Sequence, residues 1–257
     1  MRFSIVTVTY NNWGGLAHTA ESLKSQNGDL FEWIVVDGVS SDGTLDRIDQ
    51  FEDILDHFVC EPDDGIYEAM NKGLKLAVGQ FVVFLNGDDV LIPNVLERIE
   101  QAIEQGESDG KDIAMIFGEA NLHTPGGGVR HRRVLPPEQC MWHRIPSSHQ
   151  ATFFDRVEHL AVPHDLRFRV SSDYFTIAKI YQRIAERRHY LALPFVVVET
   201  PIGGASFSSS NMWHLLSDHL AIQTEVLKVP FFLKWASLLR KFAAVSYLRF
   251  TSRIHGA

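Results

Sequence analysis

The sequence FVVFLNGDD at residues 81–89 decides the fold of this chain. Its first five residues are all apolar, which is typical of a central strand buried on both faces of a parallel sheet. The segment then turns polar and ends in two adjacent carboxylates, Asp88 and Asp89. Hard cations such as Mg²⁺ and Mn²⁺ bind through one or two carboxylates together with substrate phosphates. The segment therefore indicates either a metal site at a strand end or a turn before the next helix.

Hydrophobic patterns on both sides of this segment alternate between strand and helix. We predict strands at residues 3–9, 31–37, 81–85 and 113–118, and helices at residues 16–25, 44–51, 66–78 and 93–105. The alternation predicts an α/β protein whose mostly parallel sheet carries helices on both faces. Ligands of such sheets bind beyond the carboxyl ends of the strands. We expect three polar clusters that follow predicted strands to converge there, at residues 10–12, 37–38 and 86–89.

The second half of the chain is less regular. A glycine-rich and then basic stretch at residues 124–133 predicts a hairpin or a mobile loop. Further predictions are strands at residues 150–154 and 195–199, a helix at residues 172–187, and helical structure from residue 212 onward that is interrupted at Pro230. The sequence contains no internal repeat and no low-complexity linker.

Composition excludes several classes of protein. The chain has 257 residues and a formal net charge of -8, which argues against nucleic acid as a partner. The two cysteines, Cys60 and Cys140, form no Cys-x-x-Cys pair, so we expect a reducing, cytoplasmic environment. The first residues show no signal-peptide pattern, and no run of about 18 uncharged apolar residues predicts a transmembrane helix.

The last part of the sequence has the opposite charge to the rest. Residues 226–257 contain no Asp or Glu and six basic residues, with apolar side chains interleaved among them. Lys234, Lys241 and Arg249 recur at spacings of seven and eight, which places them near one helical face. This pattern predicts peripheral contact with the anionic surface of a membrane. The alternatives are a helix packed on the core with a solvated basic face, or a contact with a second copy of the chain.

Several other polar residues are candidates for the site, and three of them have two interpretations. Asp37 closes a predicted strand and can accept hydrogen bonds from a nucleobase edge. Lys72 can meet a phosphate, or it can belong to a solvated helix face. Asp173 begins a predicted helix, where it is either a cap or a general base. Asp42 is either a helix cap or a ligand-binding residue, and His149 is interpreted as structural.

The arginines at residues 130–133 also have two interpretations. They can contact a diphosphate on a lipid-linked acceptor, or they can be ordinary loop charges. The second interpretation is the simpler one, since charged loops are usually solvated.

Six motifs in order resemble those of the family-2 glycosyltransferases, which have the GT-A fold. The resemblance covers residues 3–210. The form GIYxAMNKG at residues 65–73 is similar to the branch of the family used in bacterial exopolysaccharide, colanic-acid and O-antigen assembly. The motifs are SIVTVTYN at 4–11, VDG at 36–38 with SDGT at 41–44, DGIY at 64–67 with AMNKG at 69–73, LNGDD at 85–89, HQATFF at 149–154 and SDY at 172–174.

The resemblance implies a role for each matching residue. The residues implied to bind the nucleotide are Val8, Thr9, Tyr10, Asp37, Asp64, Lys72, Asn86 and Gly87. Asp88 and Asp89 would hold Mn²⁺ or Mg²⁺, and Asp173 matches the catalytic base of the family. One position departs from the family pattern, because Asn86 stands where the first carboxylate of the Asp-x-Asp motif is expected.

The activity that the resemblance implies is inverting transfer of a sugar from a nucleotide-sugar, with a UDP-sugar favoured over a GDP-sugar. The acceptor would be a hydroxyl group of a saccharide or a lipid-linked saccharide. We expect a GT-A domain at residues 1–210 and a helical extension at residues 211–257. Two alternatives remain open: a nucleotidyltransferase, although no basic glycine-rich loop follows the first strand, and a non-catalytic carbohydrate- or nucleotide-binding module.

Overall fold

A computed structural model describes residues 1–124, 126–202 and 211–242. One sheet of nine strands runs through this part of the chain, in the order β3-β2-β1-β4-β8-β6-β9-β5, with β7 paired to β6. The strands are β1 (Phe3–Thr9), β2 (Phe31–Asp37), β3 (His57–Cys60), β4 (Phe81–Phe84), β5 (Val90–Leu91), β6 (Ile113–His123), β7 (Val129–Arg132), β8 (Thr152–Asp155) and β9 (His189–Pro201).

Helices cover both faces of this sheet. They are α1 (Trp13–Lys24), α2 (Ile66–Leu76), α3 (Val95–Ser108), α4 (Pro137–Cys140), α5 (Arg156–Ala161), α6 (Ser172–Ile184), α7 (Met212–Glu225) and a further helix, α8, described over residues 231–242. Side chains alternate between two cores because successive residues of a strand point to opposite faces. In β1, Ile5 packs in the core under α1 and α3, whereas Val6 packs in the core under α2 and α6.

Strand direction confirms the predicted α/β class and its mostly parallel sheet. Strands β1 to β4 are mutually parallel, and β6 and β9 run the same way as they do. The other three strands run in the opposite direction, and β8 separates β4 from β6. The carboxyl ends of β1, β2 and β4 therefore meet at one edge of the sheet, where the predicted polar clusters lie.

The element boundaries agree with the sequence in the first two strands and differ elsewhere. The helix predicted at residues 44–51 is only a 3-10 turn at Ile48–Phe51. The Asp42 side chain accepts both the N–H and the O–H of Thr44, and such a local bond competes with helix formation. The helix predicted from Pro93 begins two residues later, with Asn94 as its N-cap in the left-handed conformation.

The basic stretch after residue 124 forms the second strand of a hairpin. Strand β7 pairs antiparallel with β6, from His123 opposite Val129 to Ala120 opposite Arg132. The hairpin prediction is therefore confirmed. The pairing places the arginines of β7 near the start of α6, since residues of both line one cavity.

The C-terminal helices pack on the body of the protein. Ile222 of α7 is buried in the core shared with α2 and α6, and Gln223 bonds to Ser237 of α8. The division at residues 210 and 211 stays a prediction, because residues 203–210 lie outside the described ranges. Residues 243–257, which include Arg249 of the predicted basic face, also lie outside the described ranges. No helix within the described ranges is long and apolar enough to span a membrane.

Candidate active site

The ends of β1 and β2 form the first part of the candidate site. Thr9 lies opposite Asp37 in the parallel register, and the N–H of Gly38 donates to the Thr9 carbonyl at 3.0 Å. The Asp37 carboxylate is fully buried and accepts the N–H of Ser40 at 2.7 Å and its O–H at 2.6 Å. Asp37 therefore shapes the loop after β2, while Tyr10 leaves most of its ring exposed at the same edge.

Hydrogen bonds join the loops that follow β1 and β2. The N–H of Asn11 donates to the Ser40 hydroxyl, and the Asn11 side chain accepts the N–H of Ser41. Asp42 accepts the N–H of Trp13, the first residue of α1, and these hydrogen bonds lower the pKa of its carboxyl group, the bond from Thr44 most of all. Asp42 thus holds the start of α1 as well as its own turn, in agreement with the capping interpretation.

The turn after β4 is fixed by its own backbone. Asp88 has a φ of 82°, in the left-handed region, and its N–H donates to the Gly15 carbonyl at 2.9 Å. A side chain at Gly87 would meet the Asn12 amide at 2.8 Å, so only glycine fits without displacement. The close approach of this turn to the start of α1 explains why the sequence has glycine between Asn86 and Asp88.

Asp88 is the carboxylate of this turn that faces outward. Its side chain is 40% exposed, and its Oδ1 lies 3.0 Å from Nδ1 of His18. The neighbouring Asn86 Oδ1 is buried and accepts no hydrogen bond from the described residues. Oxygen donors of this kind suit Mg²⁺ or Mn²⁺. Within the described ranges, no group of three or more His, Cys, Asp or Glu is arranged to hold a metal ion.

Asp89 has a different environment from its neighbour. It is 2% exposed and accepts the N–H of Asn86 at 2.8 Å, with a further hydrogen bond from Thr200. Burial raises the pKa of its carboxyl group to about 6, against the lowering effect of these hydrogen bonds and of the nearby His149. A metal role for Asp89 stays a prediction. In this geometry its carboxylate holds the turn together and ties it to β9.

The loop before α2 contains the next two predicted residues. Asp64 is exposed, and its N–H donates to the Glu68 carboxylate. The Lys72 ammonium donates to the Pro62 carbonyl at 2.6 Å and lies 3.1 Å from the Glu61 carboxylate. Lys72 therefore fastens α2 to the loop that precedes it, and a phosphate contact for Lys72 stays a prediction.

Asp173 lies in the first turn of α6 and is 21% exposed. Its Oδ1 accepts the N–H of Tyr174 at 2.8 Å and lies 3.3 Å from the Tyr67 hydroxyl of α2. Its Oδ2 lies 3.6 Å from Nδ1 of His149. The second ring nitrogen of His149 is 3.4 Å from the Asn86 amide. One imidazole thus links Asp173 to the turn that carries Asp88.

A cavity of about 800 Å³ opens beside Asp173. It lies between the β6–β7 hairpin, the start of α6 and the helices α7 and α8. Asp173 and His149 line it, as do four arginines and a lysine, namely Arg130, Arg132, Arg133, Arg144 and Lys241. None of the residues predicted to bind the nucleotide lines this cavity. Asp173 thus lies at a boundary, since it faces the cavity on one side and is linked to the turn of Asp88 on the other.

Sequence reasoning missed four of these contributors. Tyr67 and His149 lie in quoted motifs, but only packing shows that both approach Asp173. His18 approaches Asp88 from the middle of α1, and no sequence signal marks it. Lys241 was predicted to face a membrane surface together with Lys234; instead its ammonium lies 3.0 Å from His219 Nδ1 and lines the cavity.

Comparison with known proteins agrees with this geometry. The sequence profile described as Glycosyl transferase family 2 matches residues 4–165, which is more than half of the chain. The chain belongs to glycosyltransferase family 2. The match includes β1, β2, β4 and the turn of Asp88, and it ends before α6, so Asp173 lies beyond it.

Curated relatives of this family are similar over part of their length. The PGL/p-HBAD biosynthesis glycosyltransferase of Mycobacterium tuberculosis is 32% identical over 180 residues, which cover 67% of this chain and 66% of the relative. TuaG of Bacillus subtilis, a glycosyltransferase named for teichuronic acid biosynthesis, is 37% identical over 143 residues, or 54% of each chain. The chain thus spans just under two thirds of the length of the first of these relatives, and about half of the second.

Solved structures confirm the GT-A fold. The crystal structure of Staphylococcus aureus TarS 1-349 in complex with UDP has a TM-score of 0.63 and 18% identity, covering 88% of this chain and 71% of that one. The mannosyltransferase PcManGT of Pyrobaculum calidifontis, in complex with GDP-Man and Mn²⁺, has a TM-score of 0.66 and 17% identity, covering 100% and 76%. At this level of identity the likeness concerns the fold.

Proposed function

We propose that this family-2 glycosyltransferase transfers a sugar, with inversion, from a nucleotide-sugar to an acceptor hydroxyl. The observation that carries the proposal is the position of Asp173. Its carboxylate borders a large cavity and is linked through His149 to the turn that holds Asp88. Inverting transfer needs a base on the acceptor side of the sugar and a leaving diphosphate on the opposite side. The position of Asp173, between the cavity and the turn of Asp88, supports such an arrangement.

The nucleotide would occupy the edge formed by β1 and β2. Thr9 and Asp37 meet there, and the exposed ring of Tyr10 offers an apolar face to a nucleobase. Val8, Asp64, Lys72, Asn86 and Gly87 complete the set that we propose for donor binding. UDP is favoured over GDP, and both nucleotides occur in proteins of this fold, as UDP in TarS and as GDP-Man in PcManGT.

A divalent cation would bind at Asp88, with Asp89 as the second proposed carboxylate and Mg²⁺ or Mn²⁺ as the candidates. A cation held there supplies neutralisation of the charge that grows on the leaving diphosphate. Support comes from the exposed carboxylate of Asp88 beside the unpartnered oxygen of Asn86. Mn²⁺ is present in the PcManGT complex.

The proton movement is assigned to Asp173. The carboxylate takes the proton of the acceptor hydroxyl as that oxygen forms a bond to the anomeric carbon. The bond from this carbon to the diphosphate oxygen breaks, and the nucleoside diphosphate leaves with the electron pair. A base in this position contributes about 10²–10⁴-fold to the rate. Tyr67 and His149 position the carboxylate from opposite sides.

The acceptor that we propose is a lipid-linked saccharide of bacterial surface polysaccharide synthesis, reached from the cytoplasmic face of the membrane. The names of the two curated relatives support a surface glycan. The described part of α8 supports a peripheral membrane contact, because five of its apolar side chains are more than half exposed: Phe231, Phe232, Trp235, Leu239 and Phe242. Residues 226–257 as a whole are the proposed contact, and contact with a second copy is the alternative.

The test is a thermal-shift screen of UDP, GDP, dTDP and CMP, each with and without Mn²⁺. A bound ligand raises stability by RT ln(1 + [L]/Kd), or about 2.7 kcal/mol at a hundredfold excess over Kd. We expect a metal-dependent shift with one nucleotide and the loss of its metal dependence in Asp88→Asn. The absence of any shift would favour a non-catalytic module. Metal-dependent hydrolysis of the matching nucleotide-sugar would then distinguish an enzyme from a binding protein.

A further inference from the structure

The cavity beside Asp173 carries an unbalanced charge. Its lining includes four arginines and a lysine, whereas Asp173 is the only carboxylate among the described residues that line it. The body of the protein is acidic, with a net charge of -8 over the whole chain, so this concentration of cations is local. Arg130, Arg132 and Arg133 come from the β6–β7 hairpin and its exit, Arg144 follows α4, and Lys241 belongs to α8.

Two of these arginines are partly buried, and neither forms a hydrogen bond to a carboxylate of the described residues. The Nε atoms of Arg132 and Arg144 are shielded from solvent and donate to no acceptor in the described ranges. One further guanidinium nitrogen of each donates to a backbone carbonyl, Ile145 at 3.4 Å for Arg132 and Arg133 at 3.5 Å for Arg144, and Arg144 also contacts the Cys140 thiol. Buried charges in folded proteins are normally paired, because an unpaired one has lost its hydration without compensation.

The electrostatics of the cavity show the cost of this arrangement. Burial, together with the neighbouring Arg144, lowers the pKa of Arg132 to about 10, and Asp173 acts in the opposite direction. Burial likewise lowers the pKa of Lys241 to about 7, while Asp173 acts in the opposite direction and Arg132 in the same direction. An anion in the cavity would reverse these effects, since it stabilises the charged form of each group.

We propose that this cavity binds a phosphate or diphosphate group of the acceptor, held by Arg132 and Arg144 and approached by Lys241. The proposal rests on the proposed function, because an acceptor bound in this cavity would bring its hydroxyl group to Asp173. The donor is placed elsewhere, since the residues proposed to bind it do not line the cavity. A guanidinium fork matches two phosphate oxygens at once, and several cations suit a group with more than one negative charge.

The size of the cavity fits the same conclusion. About 800 Å³ is far more than one phosphate group requires, and it falls within the range of sites for small molecules. A saccharide unit can therefore occupy the space between the bound phosphate and Asp173. Such an acceptor would be anchored by its charged end while its hydroxyl group reaches the base.

Binding of inorganic pyrophosphate to the full chain tests this inference. Titration calorimetry is carried out in EDTA, so that no metal supports binding at Asp88. We expect Arg132→Gln and Arg144→Gln each to weaken binding by about tenfold to hundredfold, the range for losing a hydrogen bond to a charged group. Arg167→Gln is the matched control, because this exposed arginine pairs with Asp165 outside the cavity, and its affinity should equal that of the wild type.

Stability without ligand provides a second readout. Removing a charge that burial destabilises relieves a desolvation cost, so Arg132→Gln should melt at or above the wild-type temperature. Arg144→Lys keeps the charge but loses the fork, and we expect it to bind pyrophosphate more weakly while remaining folded. Farnesyl diphosphate identifies the source of the phosphate. Tighter binding than pyrophosphate supports a lipid-linked acceptor, and equal binding supports recognition of the charged group alone.

Asp88→Asn separates this inference from the proposed function. If pyrophosphate binds Asp88→Asn normally, the cavity is the site even when no nucleotide shifts the melting temperature. If binding is lost in Asp88→Asn and kept in both arginine variants, pyrophosphate occupies the donor side and the inference is wrong. Absence of binding at millimolar pyrophosphate would overturn it as well.

Discussion

Asp173 owes its orientation to two side chains from distant parts of the sequence. Tyr67 approaches one carboxylate oxygen and His149 the other, at 3.3 and 3.6 Å. The Tyr67 hydroxyl also donates to the Val170 carbonyl at 2.8 Å, which fixes it against the start of α6. A base held from two sides keeps its geometry during the reaction.

Asp173→Asn should lower kcat by about 10²–10⁴-fold and leave nucleotide binding unchanged, because the amide cannot accept the proton of the acceptor. Tyr67→Phe should lower kcat less, since it removes an orienting contact and leaves the base. Rates with a nucleotide-sugar and the calorimetric Kd of the nucleotide measure the two effects separately. Asp165→Asn, on the loop before α6 and outside the cavity, is the control. Near-normal turnover in Asp173→Asn would remove Asp173 from this role.

The adjacent carboxylates Asp88 and Asp89 show how strongly position decides chemistry. One is 40% exposed beside His18, and the other is 2% exposed within hydrogen bonds. Because the pKa of Asp89 is raised from 3.8 to about 6, the folded protein holds this proton more tightly than the unfolded chain does. The contribution of this proton to the free energy of unfolding is fully present below about pH 4 and is lost as the pH rises through 6.

Asp89→Asn should therefore change the pH dependence of stability. We expect the variant to gain about 1–3 kcal/mol relative to the wild type between pH 4 and pH 7.5, because the amide does not ionise. Urea unfolding of both proteins at several pH values measures the difference. Parallel stability curves would show that Asp89 has an ordinary pKa. Asp88→Asn is the matched comparison, because it removes the neighbouring carboxylate, which is exposed.

At the scale of elements, α2 connects the loop of Asp64 to the base. It packs on β1 and β2 so closely that a side chain at Gly73 would overlap Val6 and lie 3.4 Å from Val36. This contact sets the distance of α2 from the sheet, and therefore the position of Tyr67 relative to α6. The glycine is therefore needed for close approach rather than for backbone conformation.

Gly73→Ala should destabilise the protein by about 1–3 kcal/mol, the usual cost of overpacking a core. Gly14→Ala is the matched control, since Gly14 also lies in a helix, but nothing lies within 4 Å of its added carbon. The control should be neutral or more stable by less than about 1 kcal/mol. Chemical denaturation of both variants measures the contrast, and equal stabilities would contradict the packing argument.

At the scale of the whole molecule, α8 has two different sides. Ser237 and Lys241 face α7, where they contact Gln223 and His219. Trp235 and Leu239 are exposed on another part of its surface. Truncation after residue 225 would remove both sides together, so substitutions on the exposed side test membrane contact more cleanly.

The double variant Trp235→Ser and Leu239→Ser should reduce sedimentation with anionic liposomes several-fold, because it removes apolar area from the proposed interface. Val157→Ser is the control, since Val157 is equally exposed on α5. Neutral liposomes should bind both proteins weakly. Equal binding of the double variant and the wild type would favour a contact between copies of the chain as the role of this surface.

The sequence by itself determined the class of fold, the first two strands to the residue, the order of the motifs and the family. This was possible because a strand that is buried on both faces requires a continuous run of apolar residues, and such runs, ending in polar turns, are visible in the sequence. It could not distinguish the exposed Asp88 from the buried Asp89, since neighbouring residues of one turn carry the same sequence signal.

Only the tertiary structure decided which distant residues meet. Arg132, Arg144, Asp173 and Lys241 come from a hairpin, a loop and two helices, and none of them carries a pattern that predicts the others. The same is true of Tyr67 and His149 on either side of the base. Contacts of this kind depend on how helices pack against a twisted sheet, and they are therefore fixed by the whole core rather than by any local stretch of the chain.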